Sequence, residues 1–311
     1  MACAFVFPGQ GSQSVGMGAA LADQFPAGKA VFDEVDEALG QNLSAIMRDG
    51  PIEDLTLTAN TQPALMAHSI AALRVLSSET DLGGKTPKFF AGHSLGEYSA
   101  LCAAGAISLS DTAKLLRIRG EAMQAAVPVG KGAMAALIGV SLDGAENAVA
   151  AHKDAGVCEI ANDNAPGQVV ISGEKAAIDE ICANAKAFGA KMAKQLPVSA
   201  PFHSSLMQPA AERMAAALAK VEIKSPVAPI YANITAAPTA DPNEIRELLV
   251  KQVTGRVRWT ESVQAMVDAG CGEFVEIGAG KVLCGLIRRI ARDAKTLNFG
   301  EPTDLESFQN T

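Results

Sequence analysis

Ser94 stands between two glycines in the stretch FFAGHSLGEYSALCAAGAI (residues 89–107), a setting suited to a nucleophile. An apolar, strand-like start passes through Gly92-His93-Ser94-Leu95-Gly96 into a run of small residues that reads as a helix. That is the strand-turn-helix context of a G-x-S-x-G elbow, where glycines allow a tight turn and leave the hydroxyl exposed at a helix N-terminus. The plainer reading is a serine that caps a helix between two turn glycines.

A serine hydroxyl is a weak nucleophile at neutral pH and needs a base within hydrogen-bond reach, usually histidine. The chain has four histidines. His68 lies inside the helical run PALMAHSIAALRVL and His152 on a second helix, and both suit a core or helix-face role. His93 adjoins the serine, but the turn should aim its side chain elsewhere. His203, in LPVSAPFHSSLM, sits where a strand gives way through Pro201 to a helix, the kind of loop that carries catalytic groups. It also follows the serine, as the base does in α/β-hydrolase order; a capping or core histidine is the alternative. For a third group, Asp143, Asp154, Asp163 and Asp179 lie between the two, and none stands out. A backbone carbonyl can orient the ring instead.

Arg119 is placed unusually. In DTAKLLRIRGEAMQAAV, helical spacing puts Lys114, Arg117, Glu121 and Gln124 on one polar face, whereas Arg119 shares the stripe of Leu115, Leu116, Ala122 and Met123. It should point inward, where a guanidinium needs an anion: either a structural Asp or Glu, or a substrate carboxylate. The opening AFVFPGQGSQSVGMG reads as a strand feeding a Gly-rich loop. An elbow enzyme takes one oxyanion donor from the amide after the nucleophile, here Leu95, and a second from another strand-to-helix loop, here Gln10. A plain turn is the alternative. Neither Gly9-Gln10-Gly11 nor Gly278-Ala279-Gly280 completes a dinucleotide fingerprint, and Gly280-Lys281-Val282 lacks the Ser/Thr of a phosphate loop.

These residues need a scaffold, and the chain alternates strand-like runs with Ala-rich helical stretches, the pattern of an α/β architecture. Strands are expected at Ala4–Phe7, Phe89–Ala91, Ala228–Ala232 and Glu273–Ile277, with helices such as 62–76 and 95–106 between them. From Gly132 the order is β-α-β-β-α-β, the ferredoxin-like arrangement, with Asp163 to Gly167 as its central turn. The expected division is therefore a body of residues 1–129 and 199–311 with an inserted subdomain at 130–198.

The 311 residues, 49% hydrophobic and 19% charged, can bury a large core. A formal charge of −8 gives no general attraction to nucleic acid or to an anionic membrane, so an acidic partner must meet a local basic patch. No apolar run reaches the roughly 18 to 20 residues of a membrane span, and MACAFVFPGQG has no basic region followed by a cleavage site, so a cytoplasmic location is expected. The six cysteines are scattered without C-x-x-C spacing, and neither a metal nor a cofactor is expected.

Together, FVFPGQGSQ, GHSLGEYSAL, RIRGEAMQ, NDNAPGQVVISG, SAPFHSSLM, KQVTGRVRW and EIGAGKVLCGLI, in this order over nearly the whole chain, resemble the bacterial malonyl-CoA:acyl carrier protein transacylases. The resemblance implies an α/β-hydrolase-like large subdomain with a parallel sheet, carrying the ferredoxin-like insert. It implies Ser94 as the acylated nucleophile, His203 as its base, a backbone carbonyl of Gln252 steering the histidine, and Arg119 pairing with the malonyl carboxylate. Gln10 and Leu95 amides would hold the oxyanion. Malonyl-CoA and acyl carrier protein are the implied partners of a chain expected to act as a monomer in fatty-acid biosynthesis. The carrier protein, being acidic, would dock on Arg288, Arg289 and Arg292 or on Lys191 and Lys194. Asn162 is a candidate for substrate binding and Asn233 for lining the pocket, though turn and strand-end roles explain both equally well. A thioesterase or lipase would share the elbow but has no evident use for a buried Arg119. A polyketide-type malonyl acyltransferase would share the elbow too, whereas an inactive carrier-binding scaffold would have no reason to keep Ser94, His203 and Arg119 together.

Overall fold

A computed structural model describes residues 2–198 and 200–309; Ser199, where the expected second body segment begins, lies outside the described residues with Met1, Asn310 and Thr311. In chain order the strands are β1 (Ala2–Phe7), β2 (Pro87–Gly92), β3 (Gly132–Ile138), β4 (Cys158–Ala165), β5 (Gln168–Glu174), β6 (Met192–Gln195), β7 (Ile230–Ala232), β8 (Ala237–Thr239), β9 (Val257–Arg258), β10 (Cys271–Ile277) and β11 (Lys295–Phe299). Six of them make one sheet in the order β11-β10-β1-β2-β7-β8, parallel except for the β7-β8 pair. Five make a second sheet, β6-β3-β5-β4-β9, antiparallel except for β4-β9.

The fold is α/β, as the alternating pattern predicts. At the centre of the parallel sheet, β1 is buried from Cys3 to Phe7, because helices cover both faces of such a sheet. The long helix Thr58–Thr80 is buried along most of its length. Two shorter helices end near the site: Leu109–Ala125, whose N-cap Ser108 accepts from the Asp111 amide, and Pro242–Thr254, opened by the Asp241 cap and Pro242 at N1.

The second sheet follows the β-α-β-β-α-β order through the helices Leu142–Ala151 and Lys175–Asn184. Three strands, β8, β9 and β11, are additions to the expected set. β8 and β9 are two or three residues long, and β11 is a partly exposed edge without a long apolar run. The strand expected at Ala228–Ala232 is only Ile230–Ala232, since Pro229 has no N–H to give the sheet, although its carbonyl accepts from the Phe90 amide. The central turn is also shorter than expected. Asp163 and Asn164, good turn formers, stay in β4 because each has a tertiary partner: Thr260 donates to Asp163, and the His93 ring bonds the Asn164 amide oxygen.

Candidate active site

Ser94 sits where β2 ends and the helix Gly96–Ala103 begins, with a left-handed backbone (φ 55°) that is strained for any residue bearing a Cβ. The two flanking glycines are required by contact distance. A Cβ on Gly92 would lie 1.9 Å from the Gly96 carbonyl oxygen, and one on Gly96 would lie 2.3 Å from that of Phe7. The elbow is braced from behind by Asn233, whose amide oxygen accepts from the Ser94 N–H (2.8 Å) while its Nδ2 donates to the Gly92 carbonyl (2.7 Å).

The Ser94 Oγ and His203 Nε2 lie 2.8 Å apart although 109 residues separate them in sequence. On the other side of the ring, Nδ1 faces the main-chain carbonyls of Gln252 (2.9 Å) and Gly255 (3.1 Å). Both are acceptors only, so the proton resides on Nδ1 and the lone pair of Nε2 points at the serine hydroxyl, the tautomer of a general base. His203 also has a left-handed backbone, φ 59°, in the loop entering the helix Gln208–Leu218. Burial, reinforced by the Arg119 charge, pushes its pKa down to about 3, so the imidazole is neutral.

Arg119 is 1% exposed. It donates to the side-chain oxygens of Gln62 (2.8 Å) and Gln252 (2.9 Å) and to Ser94 Oγ (3.2 Å), and it lies over the Tyr98 ring at 5.6 Å. Its Nε has no partner, and all its acceptors among the described residues are neutral. The structural ion pair considered from the sequence is therefore not what the fold builds. Glu97 acts on the guanidinium only through space, and a buried cation hydrogen-bonded solely to neutral oxygens is suited to take an anion in direct contact.

Ser94, His203, Arg119, Gln10, Leu95 and Asn162 all line one cavity of 210 Å³. Among the described residues neither the Gln10 nor the Leu95 main-chain N–H has a hydrogen-bond partner, the condition for an oxyanion donor. Asn162 reaches the cavity from the second sheet, and its side chain makes no hydrogen bond among the described residues. Gln252 and Asn233 stand behind the cavity wall, Gln252 serving through its carbonyl as well as its amide. A larger cleft of 590 Å³ beside Ile70, Cys102 and Leu109 contains none of these groups. The Arg288, Arg289 and Arg292 candidates lie outside the cavity, as do Lys191 and Lys194.

Sequence reasoning misses Gln62, Asn164 and Glu97. Glu97 is a carboxylate with 2% exposure, lifted to about 7 by burial, and it accepts from the Asn233 amide and from Gln252 Nε2. Its signal is a single charge in GEYSALCA, an otherwise small and apolar helix. It reads more simply as an acid favoured in a helix first turn.

The chain is similar over nearly its whole length to known acyltransferases. The family described as "Acyl transferase domain" matches residues 4–298. A Bacillus subtilis (strain 168) protein named malonyl CoA-acyl carrier protein transacylase is 45% identical over 304 residues, 97% of this chain and 95% of that one. The crystal structure of acyl-carrier-protein-S-malonyltransferase from Bartonella henselae superposes with a TM-score of 0.95 at 54% identity, covering 99% of this chain and 98% of its own. A solved complex, "type II PKS acyl-carrier protein in complex with its malonyl-transacylase", gives a TM-score of 0.95 at 41% identity, covering 100% and 99%.

Proposed function

The chain belongs to the acyl transferase family, and from that premise we propose that it moves a malonyl group from malonyl-CoA to the phosphopantetheine thiol of acyl carrier protein through a malonyl-serine intermediate. The observation that carries this reading is the meeting in one cavity of Ser94, neutral His203 and an Arg119 whose hydrogen-bond acceptors are all neutral.

Ser94 Oγ attacks the thioester carbonyl carbon as His203 Nε2 takes its proton. The oxyanion that forms faces the Gln10 and Leu95 amides, and loss of one such donor typically costs about 10²- to 10³-fold in rate. The C–S bond then breaks, and His203 returns the proton to the departing CoA thiolate. The carrier thiol next gives its proton to Nε2, its sulfur attacks the malonyl ester, and collapse restores the Ser94 hydroxyl. Throughout, the malonyl carboxylate pairs with Arg119, and Asn162 lines the acyl site. A lipase or thioesterase acting on uncharged acyl groups has no evident use for that cation.

The same reading divides the chain into a catalytic body (1–129 and 199–311) and an inserted subdomain (130–198). Every reacting group comes from one chain, so a monomer suffices, in the cytoplasm and with neither nucleic acid nor membrane as partner.

Brief exposure to malonyl-CoA should leave a malonyl adduct on Ser94 by mass spectrometry, absent in Ser94→Ala, with transfer dependent on carrier protein. A charge-assisted contact worth about 1.5 to 3 kcal/mol gives Arg119→Ala an expected 10- to 150-fold loss of preference for malonyl over acetyl. Turnover that ignores carrier protein would make the enzyme a hydrolase, and an unchanged preference would remove Arg119 from the acyl site.

A further inference from the structure

Glu97 is a buried acid that no catalytic step uses. It lies in the first turn of the helix Gly96–Ala103, and the Arg119 charge acts on it through space without a contact ion pair. Removing a carboxylate from water without a cation in contact is costly, so its hydrogen bonds matter. Two N–H donors converge on one oxygen, Oε2: the Asn233 amide and Gln252 Nε2, both at 2.9 Å. Gln252 Nε2 donates also to the Ser94 carbonyl (3.0 Å). A longer contact runs to Asn233 Oδ1 (3.4 Å), and with its NH₂ end held by these three acceptors, of which Glu97 is the nearest, Gln252 has only its oxygen left for Arg119, at 2.9 Å. Turned over, the amide would set NH₂ against guanidinium, two donors with no acceptor between them.

We propose that Glu97 is a positioning residue for acyl selectivity: by fixing the Gln252 amide it keeps a carbonyl oxygen against Arg119 and so aims the guanidinium at an acyl group bearing a carboxylate. The inference rests on the malonyl-transfer reading. Through Asn233, the same oxygen also reaches the elbow, since Asn233 accepts from the Ser94 amide. What matters is where the acceptor oxygen sits, more than the charge it carries.

Two conservative variants separate those properties. Glu97→Gln keeps an oxygen at the same reach and removes the charge, and the two converging donors select the oxygen end of its amide. Glu97→Asp keeps the charge and withdraws the oxygen by one methylene. Selectivity is read as the ratio of Ser94 acylation kcat/KM for malonyl-CoA against acetyl-CoA, per mole of active site counted from the adduct at saturation. We expect E97Q to stay within about twofold of the native ratio and E97D to lose about tenfold. A purely structural role would lower both substrates together and leave the ratio alone. Native selectivity in E97D, or an E97Q ratio that falls as far as that of E97D, overturns the proposal. E97Q decides by itself where E97D does not fold, because a native ratio is required of it. If the unmutated enzyme shows no preference for malonyl, the transfer reading fails first and this inference with it.

Discussion

As the proposed base, His203 has to be neutral to accept a serine proton, and its surroundings keep it so; the same desolvation makes it sensitive to acid. Burial and the neighbouring Arg119 charge hold it at about 3, and burial holds His68, packed against Gly300 and bonded to that carbonyl at 2.9 Å, at about 4. Unfolded, both return to about 6.5, so between that value and the folded ones the unfolded chain binds more protons. Their contribution is therefore complete above about pH 6.5 and is lost as pH falls, by up to about 1.4 kcal/mol per pH unit for each histidine. Glu97 has the opposite sign. Burial raises it from 4.5 to about 7, so over that window the folded state binds the extra proton and gains stability as pH falls. Burial raises Glu276, Asp163 and Glu301 in the same sense, so the share of one histidine is read as a difference. Between pH 6.5 and 4.5, His68→Gln, which cannot titrate and is remote from the reacting groups, should remove about one histidine's share of the acid-side loss of stability read from urea unfolding. An unchanged loss would mean that His68 is already charged or hydrated in the native protein.

The elbow works because β1, β2 and the helix Gly96–Ala103 approach more closely than any side chain permits. A Cβ on Gly96 would meet the Phe7 and Pro8 carbonyl oxygens at 2.3 and 2.9 Å, and main chain cannot swing away as a flexible side chain can. Gly96→Ala should cost about 3 kcal/mol or more and abolish malonyl labelling of Ser94, measured by urea unfolding and mass spectrometry. Gly285→Ala is the control. In the helix Val282–Ile290 nothing lies within 4 Å of that position, so alanine should add up to about 1 kcal/mol of stability and leave labelling intact. Such elements explain what could be read in advance. Glycine spacing after an apolar run announces the elbow, and a 3.6-residue period exposes Arg119 on the wrong stripe, because both are local patterns. The group that orients His203 is a main-chain carbonyl, and no side-chain identity records it. Glu97 and Asn164 look like ordinary helix-start and turn residues until partners 155 and 71 residues away are in place.

Between the two sheets the cavity is assembled from both. Ser94, His203 and Arg119 come from the parallel-sheet side, Met134 and Asn162 from the other. β9 pairs with β4, and Arg289 ties the β4-β5 turn to the helix Val282–Ile290 through the Pro166 carbonyl and Gln168, each at 2.7 Å. This junction sorts the cations considered for docking an acidic carrier on a chain of formal charge −8. Arg289 is already committed to holding the sheets together, whereas Arg288 makes one exposed bond to Thr296 and Arg292 is exposed beyond the helix end. Reversing Arg289 should therefore disturb both half-reactions. Reversing Arg288 and Arg292 together should raise the carrier-protein KM about 3- to 10-fold, the scale of two exposed ion pairs, while leaving Ser94 acylation by malonyl-CoA unchanged. The effect should shrink as salt is raised, because an exposed complementary patch acts across screened distances. Equal losses in both half-reactions for the Arg288/Arg292 pair, or a KM indifferent to salt, would move carrier docking to another face, with Lys191 and Lys194 the next charges to reverse.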